Sequence, residues 1–106
     1  NFNNDIGLPL TLLRLTPKHR YAVVEMGANH PGEIAALSAI GRPDVALVNN
    51  AGPAHLEGFG DIAGVARAKG EIFAGLRKEG IAIVNGDDRY AETWCDLAGH
   101  RPHLRF

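Results

Sequence analysis

The residue whose position most strongly suggests chemistry is Lys69. Between positions 61 and 76, apolar residues recur at helical steps of three and four and predict one buried stripe, formed by Ile62, Val65, Ala66, Ile72, Phe73 and Leu76. Lys69 falls in the middle of that stripe, whereas Arg67 and Glu71 are predicted on the opposite side of the helix. A lysine on an apolar helix face is unusual, because its ammonium group loses hydration there.

Two interpretations follow for Lys69. Burial favours the neutral amine, which can react with carbon dioxide to give a carbamate, and the carbamate oxygens would suit Mg²⁺. Alternatively, the side chain extends its ammonium group past the helix edge or pairs with a carboxylate such as Glu25. Position alone favours this second interpretation.

Glu25 and His55 are further candidates for chemistry. Glu25 interrupts an apolar run near its end, where it could bind a metal ion or a transferring phosphate. It could equally pair with Lys69 or cap the next helix. His55 lies in a predicted loop, and a single loop histidine is usually just solvated. With one cysteine in the chain and no paired histidines, a zinc site is unexpected.

The elements that must position these residues are visible as apolar runs. Residues 21–26, 45–48 and 81–84 are nearly continuous and rich in β-branched residues, as in parallel strands that are covered on both faces. A further strand is predicted at 103–106. Helical patterns fall at 9–15, from Pro31 to Gly41, at 61–76 and at 88–98. This alternation predicts an α/β fold with a mostly parallel sheet flanked by helices on both faces.

Polar residues gather where the predicted strands end. They are Glu25, the pair Asn49 and Asn50, and the segment 85–88, which contains Asn85 and Asp87. In such sheets, ligands bind beyond the carboxyl ends of the strands, so these side chains could converge on one site. Ordinary turn chemistry also explains Asn, Gly and Asp after a strand, and for residues 85–88 it is the favoured explanation.

Composition excludes several classes of function. The 106 residues suffice for one small domain, and a net charge of −1 gives no sign of a nucleic-acid partner or an acidic membrane surface. The apolar runs are strand-sized, so no membrane span is predicted. Cys95 is the single cysteine, which excludes an internal disulfide and favours a cytoplasmic location. The chain starts without Met, and we therefore expect that it begins inside a longer protein.

Neither of two common glycine-rich nucleotide-binding motifs is complete in the chain. The chain contains no G-x-x-x-x-G-K-[ST] sequence, so a phosphate-binding P-loop is not expected within it. Gly58, Gly60 and Gly64 resemble a dinucleotide fingerprint, but the last spacing is one residue too long and the motif does not directly follow a strand. A nicotinamide site is therefore not expected.

Five segments, in order, resemble the central ATP-binding domain of the Mur ligases. The similarity is closest to the branch of this family that adds D-alanyl-D-alanine, especially in the blocks E-M-G-A-N and A-H-L-E-G-F-G. Single matches would be weak, whereas the ordered set spans nearly the whole chain. The matching segments are residues 1–12, 25–34, 49–50 together with 54–60, 66–73 and 83–88.

This resemblance implies a reaction and a set of site residues. An enzyme of this type uses ATP and Mg²⁺ to join UDP-N-acetylmuramoyl-tripeptide to D-alanyl-D-alanine through an acyl phosphate. By the same resemblance, Glu25, His55 and a carbamylated Lys69 are the expected catalytic and metal-binding residues. Histidine is a poor ligand for Mg²⁺, which makes His55 the weakest of the three. The expected substrate-binding residues are Asn3 and Asn4, and the expected cofactor-binding residues are Asn85 and Asp87.

The resemblance also implies what lies elsewhere. Residues 1–106 would be part of a central domain, and the P-loop, the N-terminal domain and the C-terminal domain would belong to the remainder of the ligase chain. We expect the 106 residues alone to be inactive. Two alternatives stay open: another Mur ligase or a folylpolyglutamate synthetase-like enzyme, and a non-catalytic α/β binding module.

Overall fold

The sheet contains three parallel strands. In the computed structural model, which describes residues 2–106, the strands are β1 (Val45–Val48), β2 (Ile81–Val84) and β3 (His103–Arg105), in the spatial order β1-β2-β3. Val48 lies opposite Val84, and β3 pairs with β2 on its other side. The strands predicted at 45–48, 81–84 and 103–106 are thus confirmed.

Helices connect and cover these strands. The predicted helix at 61–76 is divided, because regular α-helix ends at Gly70 and a 3₁₀ turn, Glu71–Ala74, continues it. No helix in the described part of the chain has the length and apolar character needed to cross a bilayer. The α-helices are α1 (Gly7–Leu12), α2 (Glu33–Gly41), α3 (Leu56–Phe59), α4 (Ile62–Gly70) and α5 (Ala91–Ala98).

Local sequence explains where two of the helices start. Asp61 precedes α4 in extended conformation, and its side chain accepts a hydrogen bond from the Gly64 N–H at 2.7 Å, as the sequence predicts for a cap. Helix α2 follows Gly32, whose φ of 89° is easily adopted by glycine, and it carries Glu33 in its first turn.

The main core lies on one face of the sheet. Side chains of β1 and β2 alternate between buried and more exposed positions. The buried set packs against α4, the 3₁₀ turn and α5, and this core consists of Ala46, Val48, Ala66, Phe73, Leu76, Ala82, Val84, Trp94 and Ala98. The α/β class is confirmed. Cover of the second face is incomplete within residues 2–106, since Val45 and Leu47 are each about half exposed.

The prediction of a strand at residues 21–26 is wrong. This segment has no regular secondary structure and forms no strand of the sheet. Val24 and Met26 instead pack against a second apolar cluster formed by Leu8, Ile34 and Leu37, whereas Val23 is fully exposed. The side chains therefore alternate as in a strand, while the backbone lacks a neighbouring strand with which to pair. Pairing depends on tertiary neighbours that an apolar run does not specify.

Candidate functional site

A cleft between the second cluster and α4 collects four of the predicted site residues. Asn3, Glu25, His55 and Lys69 all line this cleft, whose volume is about 270 Å³. Its walls come mainly from residues 25–28, the loop after β1 and the inner face of α4. The remaining lining residues are Met26, Gly27, Ala28, Ile34, Ala54, Phe59, Val65 and Ala68.

Lys69 reaches from the apolar face of α4 to the carboxyl end of β1. Its Nζ donates to the carbonyl oxygen of Asn50 at 2.7 Å and lies 3.4 Å from the Asn50 side-chain oxygen. No ion pair between Lys69 and Glu25 occurs in residues 2–106. For an unmodified Lys69, the structure therefore shows an ammonium group that extends to the end of β1 and not the pair with Glu25. The sequence indicates Asn50 only as a polar residue at a strand end, and nothing local predicts its bond to Lys69.

Glu25 presents an exposed carboxylate to the cleft. Its neighbours Val24 and Met26 pack against the second cluster and are partly buried, whereas Glu25 itself is exposed. Glu25 does not cap α2, because the carboxylates of Glu33 and Glu71 accept the hydrogen bonds at that helix start. Its carboxylate is consequently available for a cation or for a polar ligand.

His55 occupies an unusual backbone conformation. Its φ of 56° and ψ of 35° are left-handed, which costs a non-glycine residue roughly 1–3 kcal/mol. The loop is also pressed against the opposite wall, since a Cβ at Gly58 would lie 1.8 Å from the carbonyl oxygen of Asn29. Only a residue without a side chain permits this approach, and the approach holds His55 beside the segment that carries Glu25.

The two predicted substrate-binding asparagines have different surroundings. Asn3 lines the cleft, and its carbonyl oxygen accepts from the Gly27 N–H at 2.8 Å. Asn4 is not among the cleft residues. Its side-chain oxygen accepts from the N–H groups of Gly7, at 2.7 Å, and Ile6, at 3.2 Å, and so supports the start of α1.

The residues predicted to bind the cofactor form a turn after β2. Asn85 Oδ1 accepts from the Asp87 N–H at 3.0 Å, which is ordinary turn chemistry. Asp88 fixes this turn to the loop after β1 by accepting from the Ala51 N–H at 3.0 Å. Asn85 and Asp87 thus lie at the same edge of the sheet as Lys69 but do not line its cleft.

The chemistry of the side chains limits how a cation could be held. Within the described residues, no group of three His, Cys, Asp or Glu side chains is arranged to hold a metal ion. Glu25 offers carboxylate oxygens, which suit Mg²⁺, and a carbamate on Lys69 would add a second oxygen ligand. The His55 nitrogen suits Mg²⁺ poorly. The residues therefore fit Mg²⁺ if Lys69 is modified and if substrate or water oxygens complete the shell.

A parallel α/β sheet with a cleft at the carboxyl ends of its strands is typical of ligand-binding α/β domains, and comparison with known families identifies the class. The chain matches the family described as "Mur ligase middle domain" over residues 1–104 and belongs to that family. The particular relatives share one name, UDP-N-acetylmuramoyl-tripeptide–D-alanyl-D-alanine ligase. The protein of that name from Escherichia coli (strain K12) is 59% identical over 106 residues, which is 100% of this chain and 24% of that protein.

Further relatives support the same family membership. The ligase of the same name from Haemophilus influenzae is 60% identical over 94 residues, which is 89% of this chain and 21% of that protein. A crystal structure of MurF from Acinetobacter baumannii superposes with a TM-score of 0.96 at 43% identity and covers 100% of this chain and 23% of that one. MurF from Thermotoga maritima, solved in complex with ADP, gives a TM-score of 0.75 at 34% identity. The chain spans about a quarter of the length of these relatives.

Proposed function

We propose that this chain is part of the central domain of an ATP-dependent ligase that joins D-alanyl-D-alanine to UDP-N-acetylmuramoyl-tripeptide in peptidoglycan precursor synthesis. The observation that carries the proposal is the cleft in which Asn3, Glu25, His55 and Lys69 meet. The names of the most similar relatives favour this reaction over that of another Mur ligase or a folylpolyglutamate synthetase-like enzyme. The arrangement of the four residues around one cleft disfavours a non-catalytic module.

The proposed reaction has two steps. The tripeptide carboxylate first attacks the γ-phosphorus of ATP, and the bond to the β,γ-bridging oxygen breaks to release ADP and leave an acyl phosphate. The amine of D-alanyl-D-alanine then attacks the acyl carbon, phosphate departs and the amine loses a proton. When bound, Mg²⁺ would screen the negative charge on the oxygens involved.

Within this reaction, the side chains of the cleft position and neutralise charge. Glu25 and a carbamylated Lys69 would hold Mg²⁺, and His55 would assist as a weaker ligand. Asn3 would face the nucleotide-sugar substrate. Asn4 would contribute to the same substrate site by holding the start of α1. Asn85 and Asp87 would face the nucleotide cofactor from the turn after β2.

The proposal includes a longer chain. We infer that the remainder of the ligase chain supplies the P-loop and the N-terminal and C-terminal domains, and that residues 1–106 alone do not catalyse the reaction. A cytoplasmic location follows for the enzyme, because ATP and nucleotide-linked precursors are made and used there. The family relationship and the coverage of only about a quarter of each relative support this arrangement.

The test is phosphate release by the full-length protein with ATP, UDP-N-acetylmuramoyl-tripeptide and D-alanyl-D-alanine. We expect activity that Lys69→Ala abolishes and that acetate or formate partly restores, because a small carboxylate can replace the carbamate oxygens. Arg67→Ala, on the exposed side of α4, is the matched control and should stay active. A wild-type protein that releases no phosphate with these substrates would exclude the proposed reaction. An unaffected Lys69→Ala variant would remove Lys69 from it.

A further inference from the structure

Glu71 makes a set of hydrogen bonds that the local sequence does not predict. Its two carboxylate oxygens accept from the Gly32 N–H at 2.9 and 3.0 Å, and one of them also accepts from the Ala35 N–H at 3.2 Å. Both donors belong to the start of α2, more than 35 residues away in the chain. From helical periodicity, Glu71 was predicted to face away from the core. The structure corrects this, because α2 occupies that side.

These hydrogen bonds join the two walls of the cleft. Glu71 follows Lys69 by two residues, at the junction of α4 with the 3₁₀ turn. Gly32 follows Glu25 by seven residues, and the Asn29 N–H between them is held by Glu33. A carboxylate at a helix start is also favoured by the helix dipole. Glu71 therefore connects the backbone that carries Lys69 to the backbone that carries Glu25.

The same two elements also meet farther from the cleft. The buried Ser38 hydroxyl donates to the carbonyl oxygen of Ile72, and a Cβ at Gly75 would lie 2.3 Å from Ser38 atoms. These contacts fix the later part of α2 against the 3₁₀ turn. Ser38 thus belongs to the same interface as Glu71 without touching the segment that leads to Glu25.

We propose that Glu71 is a positioning residue for the ligase reaction: it sets the separation of Lys69 from Glu25 across the cleft. This role rests on the proposed function, in which those two side chains share a cation. Removal of the Glu71 carboxylate frees the start of α2 and lets the Glu25 segment shift, while the Ser38 contact continues to hold the rest of the helix. A displacement of this kind weakens catalysis more than it weakens folding.

The experiment compares Glu71→Ala, Glu71→Gln and Ser38→Ala in the full-length protein. For Glu71→Ala we expect kcat to fall by roughly tenfold to a hundredfold, with a higher Mg²⁺ concentration at half-maximal rate and an unchanged KM for D-alanyl-D-alanine. Glu71→Gln retains one acceptor oxygen and should recover part of the rate. Ser38→Ala should lower the melting temperature at least as much as Glu71→Ala while leaving kcat close to that of the wild type.

A second readout does not depend on turnover. Amide hydrogen exchange at Gly32 and Ala35 should become several-fold faster in Glu71→Ala than in Ser38→Ala. Equal losses of kcat in Glu71→Ala and Ser38→Ala, or a Glu71→Gln variant with wild-type kcat, Mg²⁺ dependence and exchange rates, would overturn the positioning role. A wild-type protein without ligase activity would instead overturn the proposed function and this role with it.

Discussion

Two regions of the molecule are held together in different ways. The sheet region, residues 45–106, is organised around fully buried large side chains such as Phe73 and Trp94. The N-terminal region, residues 2–42, has a smaller cluster of Leu8, Ile34 and Leu37 surrounded by partly exposed neighbours. The cleft lies between the two regions. The difference suggests that the sheet region supplies most of the stability, while the N-terminal region is aligned on it by packing of α2 on the 3₁₀ turn and by a few specific contacts.

Those specific contacts are polar or involve close backbone approach. Glu71 holds the start of α2, and Gly58 lets the His55 loop touch the backbone of Asn29. Each joins an element of the sheet region to the segment around Glu25. We therefore expect substitutions in the sheet core to act mainly on the free energy of unfolding, and substitutions at the contacts between the regions to act mainly on catalysis.

Trp94→Ala should have the largest effect on stability. The side chain is fully buried, and its Nε1 donates to the Ala66 carbonyl oxygen at 2.9 Å, so that truncation removes both packing and a link from α5 to α4. We expect a loss of about 3–5 kcal/mol in the free energy of unfolding. Chemical denaturation of the full-length ligase measures this loss. Far-ultraviolet circular dichroism is the signal to follow, because it does not depend on the fluorescence of Trp94.

Leu37→Ala is the corresponding core truncation in the N-terminal region. Its side chain is 2% exposed, but it packs in the smaller cluster. We expect a loss near the lower end of the range for such truncations, about 2 kcal/mol. A loss as large as that of Leu76→Ala, whose side chain is 3% exposed in the main core, would show that the two regions contribute equally and would contradict the comparison.

Sequence patterns predicted the sheet region well because its strands follow from apolar runs, and its helix start follows from a residue that is close in sequence. The apolar runs at 45–48 and 81–84 pair with each other, and the Asp61 cap depends on a residue three positions away. The same patterns placed Lys69 on the apolar face of α4. The resemblance of motifs to a family added the grouping of Glu25 and His55 with Lys69, and the structure places all three around one cleft.

What failed depended on neighbours distant in sequence. Residues 21–26 have the composition of a strand, but whether a strand pairs is decided by the backbone beside it. Glu71 was assigned to the opposite side of the helix by periodicity, and nothing local indicates that the start of α2 receives it there. The short helix α3 and the left-handed His55 likewise reflect the close packing of Gly58 on Asn29.

Gly58→Ala tests the contact between the regions directly. A Cβ there would lie 1.8 Å from the Asn29 carbonyl oxygen, which is backbone and cannot swing away. We expect a loss of about 1–3 kcal/mol from overpacking, together with a larger fall in kcat than Leu37→Ala produces, because His55 is displaced from Glu25. Gly52→Ala is the control, since its Cβ would meet nothing within 4 Å. Wild-type activity in Gly58→Ala would argue that the His55 loop need not touch the other wall.

Asp61→Ala should have a smaller effect, confined to the sheet region. The Asp61 carboxylate caps α4 at the Gly64 N–H, and loss of such a cap costs about 1 kcal/mol. Thermal unfolding of the ligase measures the change, and Asp61→Asn should retain most of the stability because asparagine caps helices equally well. If both variants lost the same amount, the charge of Asp61, rather than its hydrogen bond, would be responsible.

The smallest expected effect is a pH dependence that again separates the regions. The Asn29 N–H, and then the His30 side chain, hold the pKa of the Glu33 carboxyl below its ordinary value of 4.5, whereas the Arg105 guanidinium does the same for the pKa of Glu92. A carboxyl group whose pKa is lowered by folding stabilises the folded state at pH values above its ordinary pKa. This stabilisation is lost as the pH falls through the pKa of the folded state. The wild type should therefore exceed Glu33→Gln and Glu92→Gln in free energy of unfolding by less at acid pH than at neutral pH.

Salt distinguishes the two carboxylates. The Arg105–Glu92 pair is an exposed ion pair with an Nη1–Oε1 distance of 2.8 Å, so added salt should shrink the gap between wild type and Glu92→Gln at neutral pH. The Glu33 carboxylate is held first by a backbone N–H at 2.8 Å, and its gap should respond less to salt. Urea unfolding of the wild-type ligase and of both variants at pH 4 and 7, at low and high ionic strength, provides four values for each protein. An equal salt response would mean that the loop at Asn29 is held by charge, in the same way as the outer edge of the sheet, and would remove this distinction between the regions.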